Sequence, residues 1–423
     1  MDKLKHICSY LPTIGLLIAI FSLPYHYGAL QRTGLYIAGI GFVVDYLVNM
    51  RWQVWQWSRD KWIYIVFVLF YLCIPLRQLF DLPGDWLFAN KIETYLSFLI
   101  IGVLSFAGGN YTMRLEYVAA TMLLSCLSMA GVLCHAMWNI PLTDFASWQA
   151  QLNLQRIAHI NSHMVVNVYS NMTLVFCMWT LLRSQCRPWL KWLIGVLMAG
   201  VVIGLTISEG RVGQITLVLL VAFAVGAWLV HTHRIRWIVP GLVGVGLLAC
   251  ALWMLNPRYH EYSMQNNARM RIWPVATRMI QEKPLFGWGV SAARQEFVRR
   301  GMEDEDFRIY YLLEFEASSM ERHGKVNYQV IHPHNAFLET WMEFGVVGVI
   351  LFLLCLLLPI LLLPIGHDRW FVAVGMLVFF VQAMFESMGS EMTPLWIPLL
   401  TYLWMYNHTS EPKRSERPIR PAL

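Results

Sequence analysis

The chain has 423 residues, of which 57% are hydrophobic and only 14% are charged. Soluble globular domains carry about 25% charged residues, so this composition excludes an ordinary soluble domain. The formal net charge of +6 comes largely from lysines and arginines between apolar runs. That placement is typical of membrane topology, so it does not indicate nucleic-acid binding.

The apolar runs predict an all-α polytopic membrane protein. A spanning helix needs about 20 apolar residues because the hydrocarbon of a bilayer is about 30 Å thick. By this criterion the sequence contains about 12 spans. Their approximate ranges are 10–24, 33–49, 62–80, 92–109, 115–138, 163–182, 192–207, 213–231, 238–255, 336–363, 371–388 and 394–407. Residues 1–255 then hold nine spans, 256–335 form a large helical loop, and 336–423 hold three spans and a tail.

The orientation of the spans follows from the lysines and arginines in their short loops, which favour the cytoplasm. Alternate loops and both ends carry most of these charges. They include Lys3, Lys5, Arg51, Arg59, Lys61, Arg183, Arg187, Lys191, Lys413, Arg414, Arg417 and Arg420. This bias predicts that both termini are cytoplasmic and that the loop 256–335 lies on the opposite, outer face of the membrane. None of the eight cysteines falls in that loop, so no disulfide framework is expected there.

The loop itself shows helical periodicity. Ala268–Glu282 has apolar residues on one face, and a second helix is expected over 292–300. The apolar positions of the first helix are Met270, Ile272, Val275, Ala276, Met279 and Ile280. Such an amphipathic pair could lie on the outer membrane surface. The acidic run 303–306 follows and is expected to be a solvated face. The alternative is that Asp304 and Asp306 form a metal-binding acid pair.

Three sets of polar residues fall on the outer side under this topology, although they are far apart in sequence. The first is Arg211, at the end of the hairpin Ser208-Glu209-Gly210-Arg211. The second is Arg269 with Arg271, and the third is His332, His334 and Asn335. Their convergence at one interface predicts a functional site.

Arginine suits a phosphate ligand because its guanidinium is always charged and donates paired hydrogen bonds. We expect Arg211 and Arg269 to bind a phosphate group; the alternative for Arg211 is an anchoring role at the membrane surface. Arg269 and Arg271 lie on adjacent helix faces, so one should point inward and one to solvent. Arg269 is favoured because it shares a face with Trp273.

His334 is the candidate base, because an imidazole accepts and releases protons near neutral pH. One alternative is a histidine that only hydrogen-bonds backbone at a helix start; another is a zinc ion shared with His332. Asn335 is expected to cap the following helix or to orient a donor group. Glu339 and Glu343 are expected to hold an arginine rather than to act as bases. Gly345 and Gly348 are expected to allow close helix packing.

These motifs together resemble the O-antigen ligase and polymerase superfamily. His334-Asn335, nine residues and then Gly345-x-x-Gly348 have the spacing of the ligase motif. Arg269-Met-Arg-Ile-Trp273 followed by Glu282-Lys-Pro-Leu-Phe-Gly287-x-Gly289 resembles the loop signature, and Ser208-Glu-Gly-Arg211 resembles the preceding arginine hairpin. The resemblance is strong over 205–350, although Glu209-Gly210 departs from the more usual adjacent Ser-Arg pair.

The resemblance implies transfer of a polysaccharide from undecaprenyl diphosphate to a sugar hydroxyl of the lipid A-core, with inversion and without a cofactor or metal. It also implies that this transfer occurs on the periplasmic face of a bacterial inner membrane. It implies that His334 is catalytic, that Arg211 and Arg269 bind the donor diphosphate, and that His332, Asn335, Arg271 and Glu339 support them. No nucleic-acid partner is expected.

Two other functions stay open at this stage. An O-antigen polymerase, or an oligosaccharyltransferase acting on protein hydroxyls, would use the same donor chemistry. A polysaccharide transporter would need ionisable residues near the middle of the membrane. Asp45, Glu386 and Glu391 are instead predicted near span ends, which argues against transport.

Overall fold

The computed structural model describes most of the chain in separate stretches. These are residues 2–25, 28–49, 61–78, 99, 102–103, 113–141, 147, 160, 163–183, 187–207, 211–231, 235–255, 268–313, 316, 320, 331–362 and 367–385. Two predicted spans, 92–109 and 394–407, lie almost wholly outside these residues. Ser208, Glu209, Gly210, Glu386 and Glu391 lie outside them too, as does the C-terminal tail.

The described residues form helices, and no β-strand occurs among them. The helices are α1 (Asp2–Ser22), α2 (Gly28–Val48), α3 (Lys61–Gln78), α4 (Leu115–Met137), α5 (His163–Arg183), α6 (Pro188–Ile207), α7 (Arg211–His231), α8 (Ile238–Leu255), α9 (Ala268–Glu282), α10 (Val290–Glu303), α11 (Ala336–Leu362) and α12 (His367–Ala383). A helical turn at Glu305–Phe307 and a π-helical segment at Arg308–Leu312 follow α10.

The all-α fold class is confirmed, whereas the count of about 12 spans is not. Helices α1–α8, α11 and α12 coincide with predicted spans. Within the described residues, four helices are long and apolar enough to cross a membrane. They are Leu115–Ala136, Met164–Leu182, Pro188–Thr206 and Ala336–Leu362.

Helix α5 lies at the centre of the bundle and packs against α4, α6, α7 and α12. In the apolar stretch of α5, 78% of the residues are buried, compared with 17% in the apolar stretch of α6. Helix α6 instead presents large side chains such as Trp192 and Ile203 outward. An apolar surface of this extent is expected to contact lipid, which indicates a membrane protein.

The insertion between α8 and α11 has a hydrophobic core of its own. The residues that form it come from α9, α10, the π-helical segment and the start of α11: Ile272, Val275, Ala276, Met279, Ile280, Ala293, Phe297, Phe307, Leu312 and Met342. Helix α9 matches the prediction for Ala268–Glu282, and α10 extends the second predicted helix at both ends.

The apolar faces of α9 and α10 pack on each other and on α11. Tertiary packing therefore buries the face that the amphipathic pattern marks, and the placement of the helix pair on the outer membrane surface stays a prediction. One expectation for α9 is wrong. Met270 was predicted on the apolar face but is 50% exposed.

Helix α11 is broken at Gly345, which has φ 67° and ψ −164°. We call 336–344 its outer part and 346–362 its membrane part. The turn 284–289, between α9 and α10, fills the break. The Val346 amide donates to the Pro284 carbonyl (2.8 Å), and the Trp288 and Gly289 amides donate to Met342 (2.8 Å) and Glu343 (2.9 Å). Gly345 therefore allows a turn to meet the helix backbone; the prediction of helix-to-helix packing at Gly345 was wrong in this respect.

Candidate active site

The segment 331–335 ends in a tight turn that begins α11. His334 has φ 49°, a left-handed conformation that a residue with a Cβ seldom adopts. The Asn335 Oδ1 accepts hydrogen bonds from the amides of Phe337 and Leu338, both at 3.0 Å. Asn335 is thus the predicted N-cap of the helix. Its Nδ2 donates to the Met384 carbonyl (3.0 Å), which ties this turn to the end of α12.

The ring of His334 is held by two neighbours. The Tyr311 hydroxyl lies 3.2 Å from Nε2, and the two rings meet edge to face. The His332 ring also contacts it, with centroids 4.2 Å apart. The unusual backbone conformation of His334 therefore places its imidazole in contact with both Tyr311 and His332.

Arg269 reaches the same region from α9. Its Nη2 donates to the Phe385 carbonyl (3.0 Å), and its guanidinium lies 5.8 Å from the centre of the Phe385 ring. Trp273, one turn further along α9, donates from Nε1 to the Pro333 carbonyl (3.0 Å). Arg271 instead pairs with Asp306 at 2.6 Å, with both side chains partly exposed. Arg269 and Arg271 are both partly buried. The expectation that one of them points inward and the other to solvent stays a prediction.

The electrostatic surroundings of His334 favour its neutral form. Burial, first, and the positive charge of Arg269, second, lower the pKa of His334 from 6.5 to about 4, while the Glu339 carboxylate raises it. The imidazole is therefore unprotonated at neutral pH. An imidazole in that state accepts a proton, as a general base must.

Glu339 and Glu343 are buried on the outer part of α11 and pair with Arg294 of α10. The distances are 3.1 Å from Arg294 Nη2 to Glu339 and 3.4 Å from Nε to Glu343. The prediction that these carboxylates hold an arginine is confirmed. Two negative charges buried one helical turn apart need such a partner, because an unpaired buried charge is very costly.

Arg211 is the first residue of α7, and its position follows from helix packing. The Asn171 Nδ2, near the middle of α5, donates to the Gly213 carbonyl (3.1 Å), and a Cβ on Gly213 would meet Asn167, in the second turn of α5. The start of α7 therefore lies beside the first half of α5. Phe371, in the first turns of α12, stacks on Trp179 near the end of α5. Helix α12 therefore runs back along α5, and its last residues reach the end where α7 begins. Phe385, the partner of Arg269, lies at that end.

Carboxylates of the acidic run 303–306 form ion pairs with arginines. Asp304 pairs with Arg278 (2.6 Å) and also accepts a hydrogen bond from the Phe307 amide (3.1 Å), while Asp306 pairs with Arg271. In the part of the chain that the structure describes, no three histidine, cysteine, aspartate or glutamate side chains form a group that could hold a metal ion. The arrangement fits the predicted polar face better than the alternative acid pair.

Sequence reasoning did not identify Tyr311, Arg294 or the carbonyl groups at the end of α12 as neighbours of the site. Tyr311 lies in a π-helical segment, which has no periodic signal in the sequence. Arg294 had one signal, because the predicted buried carboxylates of α11 required a cation from elsewhere.

Comparison with known proteins gives a family match over part of the chain. Residues 193–353 match the model of a family described as O-antigen ligase, and the matched stretch includes Arg211, Arg269, Tyr311, Arg294 and His334. The resemblance seen in the sequence is therefore confirmed over this stretch. No curated protein matches the chain.

Proposed function

Residues 193–353 belong to the O-antigen ligase family, and on that premise we propose that this chain is an inverting glycosyltransferase that ligates O-antigen. The donor is a polysaccharide on undecaprenyl diphosphate, and the acceptor is a sugar hydroxyl of the lipid A-core. Transfer takes place on the periplasmic side of the inner membrane. Since no nucleotide is supplied there, the donor arrives already activated by its diphosphate.

In this proposal Arg269 and Arg211 bind the donor diphosphate. Negative charge grows on the leaving oxygen as the anomeric carbon–oxygen bond breaks, and a guanidinium placed beforehand stabilises that charge. Preorganised donors of this kind contribute on the order of 10²–10³ in rate. The placement of both arginines at one end of the bundle supports this role.

His334 removes the proton from the acceptor hydroxyl. The acceptor oxygen forms a bond to the anomeric carbon, and the electron pair of the broken bond leaves with undecaprenyl diphosphate. The proton remains on the imidazole. Attack from the face opposite the leaving group inverts the anomeric centre. A base in this position contributes about 10²–10⁴ in rate.

Tyr311 positions the imidazole in this mechanism. When His334 donates from Nε2–H to the Tyr311 hydroxyl, the lone pair that takes the acceptor proton is on Nδ1. Such a partner restricts both the tautomer and the orientation of the ring. His332 also contacts the ring, Asn335 and Glu339 hold the start of α11, and Arg271 supports α9 through Asp306.

A single observation carries the proposal. Arg269 of the insertion donates to the Phe385 carbonyl (3.0 Å), and Asn335, the residue after His334, donates to the adjacent Met384 carbonyl (3.0 Å), so Arg269 and the His334 turn meet at the end of α12. A phosphate-binding cation and a neutral base in one neighbourhood are what transfer from a sugar diphosphate to a hydroxyl requires.

The proposal is tested with His334→Ala in cells that lack the native protein. We expect loss of polymer-capped lipid A-core and accumulation of lipid-linked polysaccharide, with the same amount of protein in the membrane. Arg299→Ala changes an exposed ion pair away from the site and serves as the control. Near-normal capping by His334→Ala would show that another group is the base.

The same experiment separates ligation from polymerisation. A ligase that loses activity leaves long polymer on the lipid carrier, because chain growth does not depend on it. A polymerase that loses activity leaves single repeats on the lipid A-core. We expect long lipid-linked polymer.

A further inference from the structure

The turn 284–289 lies at the point where α11 enters the membrane. Helix α11 has 27 residues and would span about 40 Å, more than the hydrocarbon thickness of about 30 Å. Its membrane part, 346–362, contains no charged residue. That part is about 26 Å long and by itself nearly matches the hydrocarbon. The break at Gly345 therefore marks the boundary.

The charged residues of α11 all lie on the outer side of this boundary. The outer part of α11 carries Glu339 and Glu343, and Arg294 of the insertion pairs with both. Met342 belongs to the hydrophobic core of the insertion, whereas Phe352 and Cys355 belong to the core of the bundle. The 284–289 turn binds α11 between these two regions.

The backbone of the turn is suited to a place without water. A helix break frees amide and carbonyl groups, and such groups are costly at membrane depth unless protein satisfies them. Here the turn and the break satisfy each other through Val346, Trp288 and Gly289. The Trp341 indole also donates to the Pro284 carbonyl (3.1 Å).

The side chains at the tip of the turn are large, apolar and exposed. Leu285 is 60% exposed and Phe286 is 69% exposed. Beside them, the Lys283 ammonium lies 3.8 Å from the Trp288 ring centroid. Aromatic and lysine side chains flanking an apolar tip are typical of a membrane interface.

We propose that the 284–289 turn is a membrane-contact element, in which Leu285 and Phe286 insert among the acyl chains of the leaflet facing the insertion. The turn then fixes the height of α9 and α10 above the hydrocarbon. The proposal requires only that α11 crosses the bilayer, so it does not depend on the glycosyltransferase activity.

The experiment places a dansyl-bearing amino acid at position 285 or 286 of the full chain, reconstituted in phosphatidylcholine vesicles. Quenching by aqueous iodide is compared with quenching by nitroxide-labelled lipid. Ile350, exposed on the membrane part of α11, is the control for lipid contact. Met302, exposed on α10 between the ion-paired Arg299 and Glu303, is the control for water contact. All four positions are exposed, and thermal unfolding of each labelled protein checks that it folds.

We expect labels at 285 and 286 to lose iodide quenching and to gain lipid quenching, as at Ile350. Iodide quenching equal to that at Met302 would overturn the proposal. Protection from both quenchers would overturn it as well, because the tip would then be covered by protein.

Discussion

The imidazole of His334 lies in the field of two opposite charges, Arg269 and Glu339, and this makes its protonation sensitive to what binds nearby. Burial and Arg269 lower its pKa to about 4. A bound diphosphate would offset the charge of Arg269, so the pKa of His334 should rise in the donor complex. The base thus becomes stronger when the donor is present.

This coupling predicts two different pH profiles. The acid limb of kcat/KM reports the free enzyme, and that of kcat reports the enzyme–substrate complex. Because the pKa of free His334 is depressed, activity expressed as kcat/KM should persist down to about pH 4. The acid limb of kcat should fall at a higher pH. Coincident limbs in a transfer assay with purified protein would contradict this expectation.

Arg269→Gln tests the electrostatic part of the same argument. Removing the cation should raise the pKa of His334 toward its ordinary value near 6.5, so the acid limb of kcat/KM should move up in pH as activity falls. Arg271→Gln is the matched control, since Arg271 lies one position away on the next helix face and pairs with Asp306. An equal shift in both variants would show that the change is not local to His334.

At the scale of elements, the break in α11 depends on Gly345. Its positive φ is costly for any residue with a Cβ, and a Cβ there would collide with the Leu285 carbonyl oxygen. A Cβ on Gly287, across the contact, would lie 2.6 Å from the Glu343 carbonyl carbon. Two glycines therefore permit one backbone-to-backbone contact.

Gly345→Ala should lower the thermal unfolding midpoint in detergent by separating the turn from α11, with a cost of about 1–3 kcal/mol for the backbone alone. Gly131→Ala in α4 is the control, because a Cβ there meets nothing within 4 Å. It should be neutral or stabilising by about 0.5–1 kcal/mol, as expected for alanine in a helix. Equal effects of the two substitutions would rule out the proposed contact.

At the scale of the whole molecule, α11 joins two hydrophobic cores. Met342 of its outer part belongs to the core of the insertion, whereas Ala336 and Phe344 of the outer part and Phe352 of the membrane part belong to the core of the bundle. Arg294 of α10 forms buried ion pairs with Glu339 and Glu343 of α11. This pairing lets the insertion and the bundle behave as one unit.

Arg294→Ala should destabilise the protein by about 3–5 kcal/mol, because two carboxylates would remain buried without their cation. Arg294→Leu combined with Glu339→Leu and Glu343→Leu should recover much of the loss, since it removes all three charges. Arg299→Ala, which breaks an exposed ion pair, should change the unfolding midpoint little. A triple variant as unstable as Arg294→Ala would show that the charges themselves are not the cause.

The sequence alone determined the helical class and the approximate bounds of α1–α8, α11 and α12. These features follow from local periodicity and hydropathy, which act over a few residues and can be read in chain order. The Asn335 cap and the need for a cation near Glu339 and Glu343 could also be predicted from the sequence, because a buried polar group requires a partner.

Only the tertiary structure decided which residues meet. Tyr311 reaches His334 across 23 positions, Arg294 reaches Glu339 across 45, and Arg269 reaches Phe385 across 116. The apolar faces of α9 and α10 would suit a membrane surface or a protein core equally well by pattern. The physical reason is that the hydrophobic effect has no direction, so a pattern shows that a face is buried but not against what.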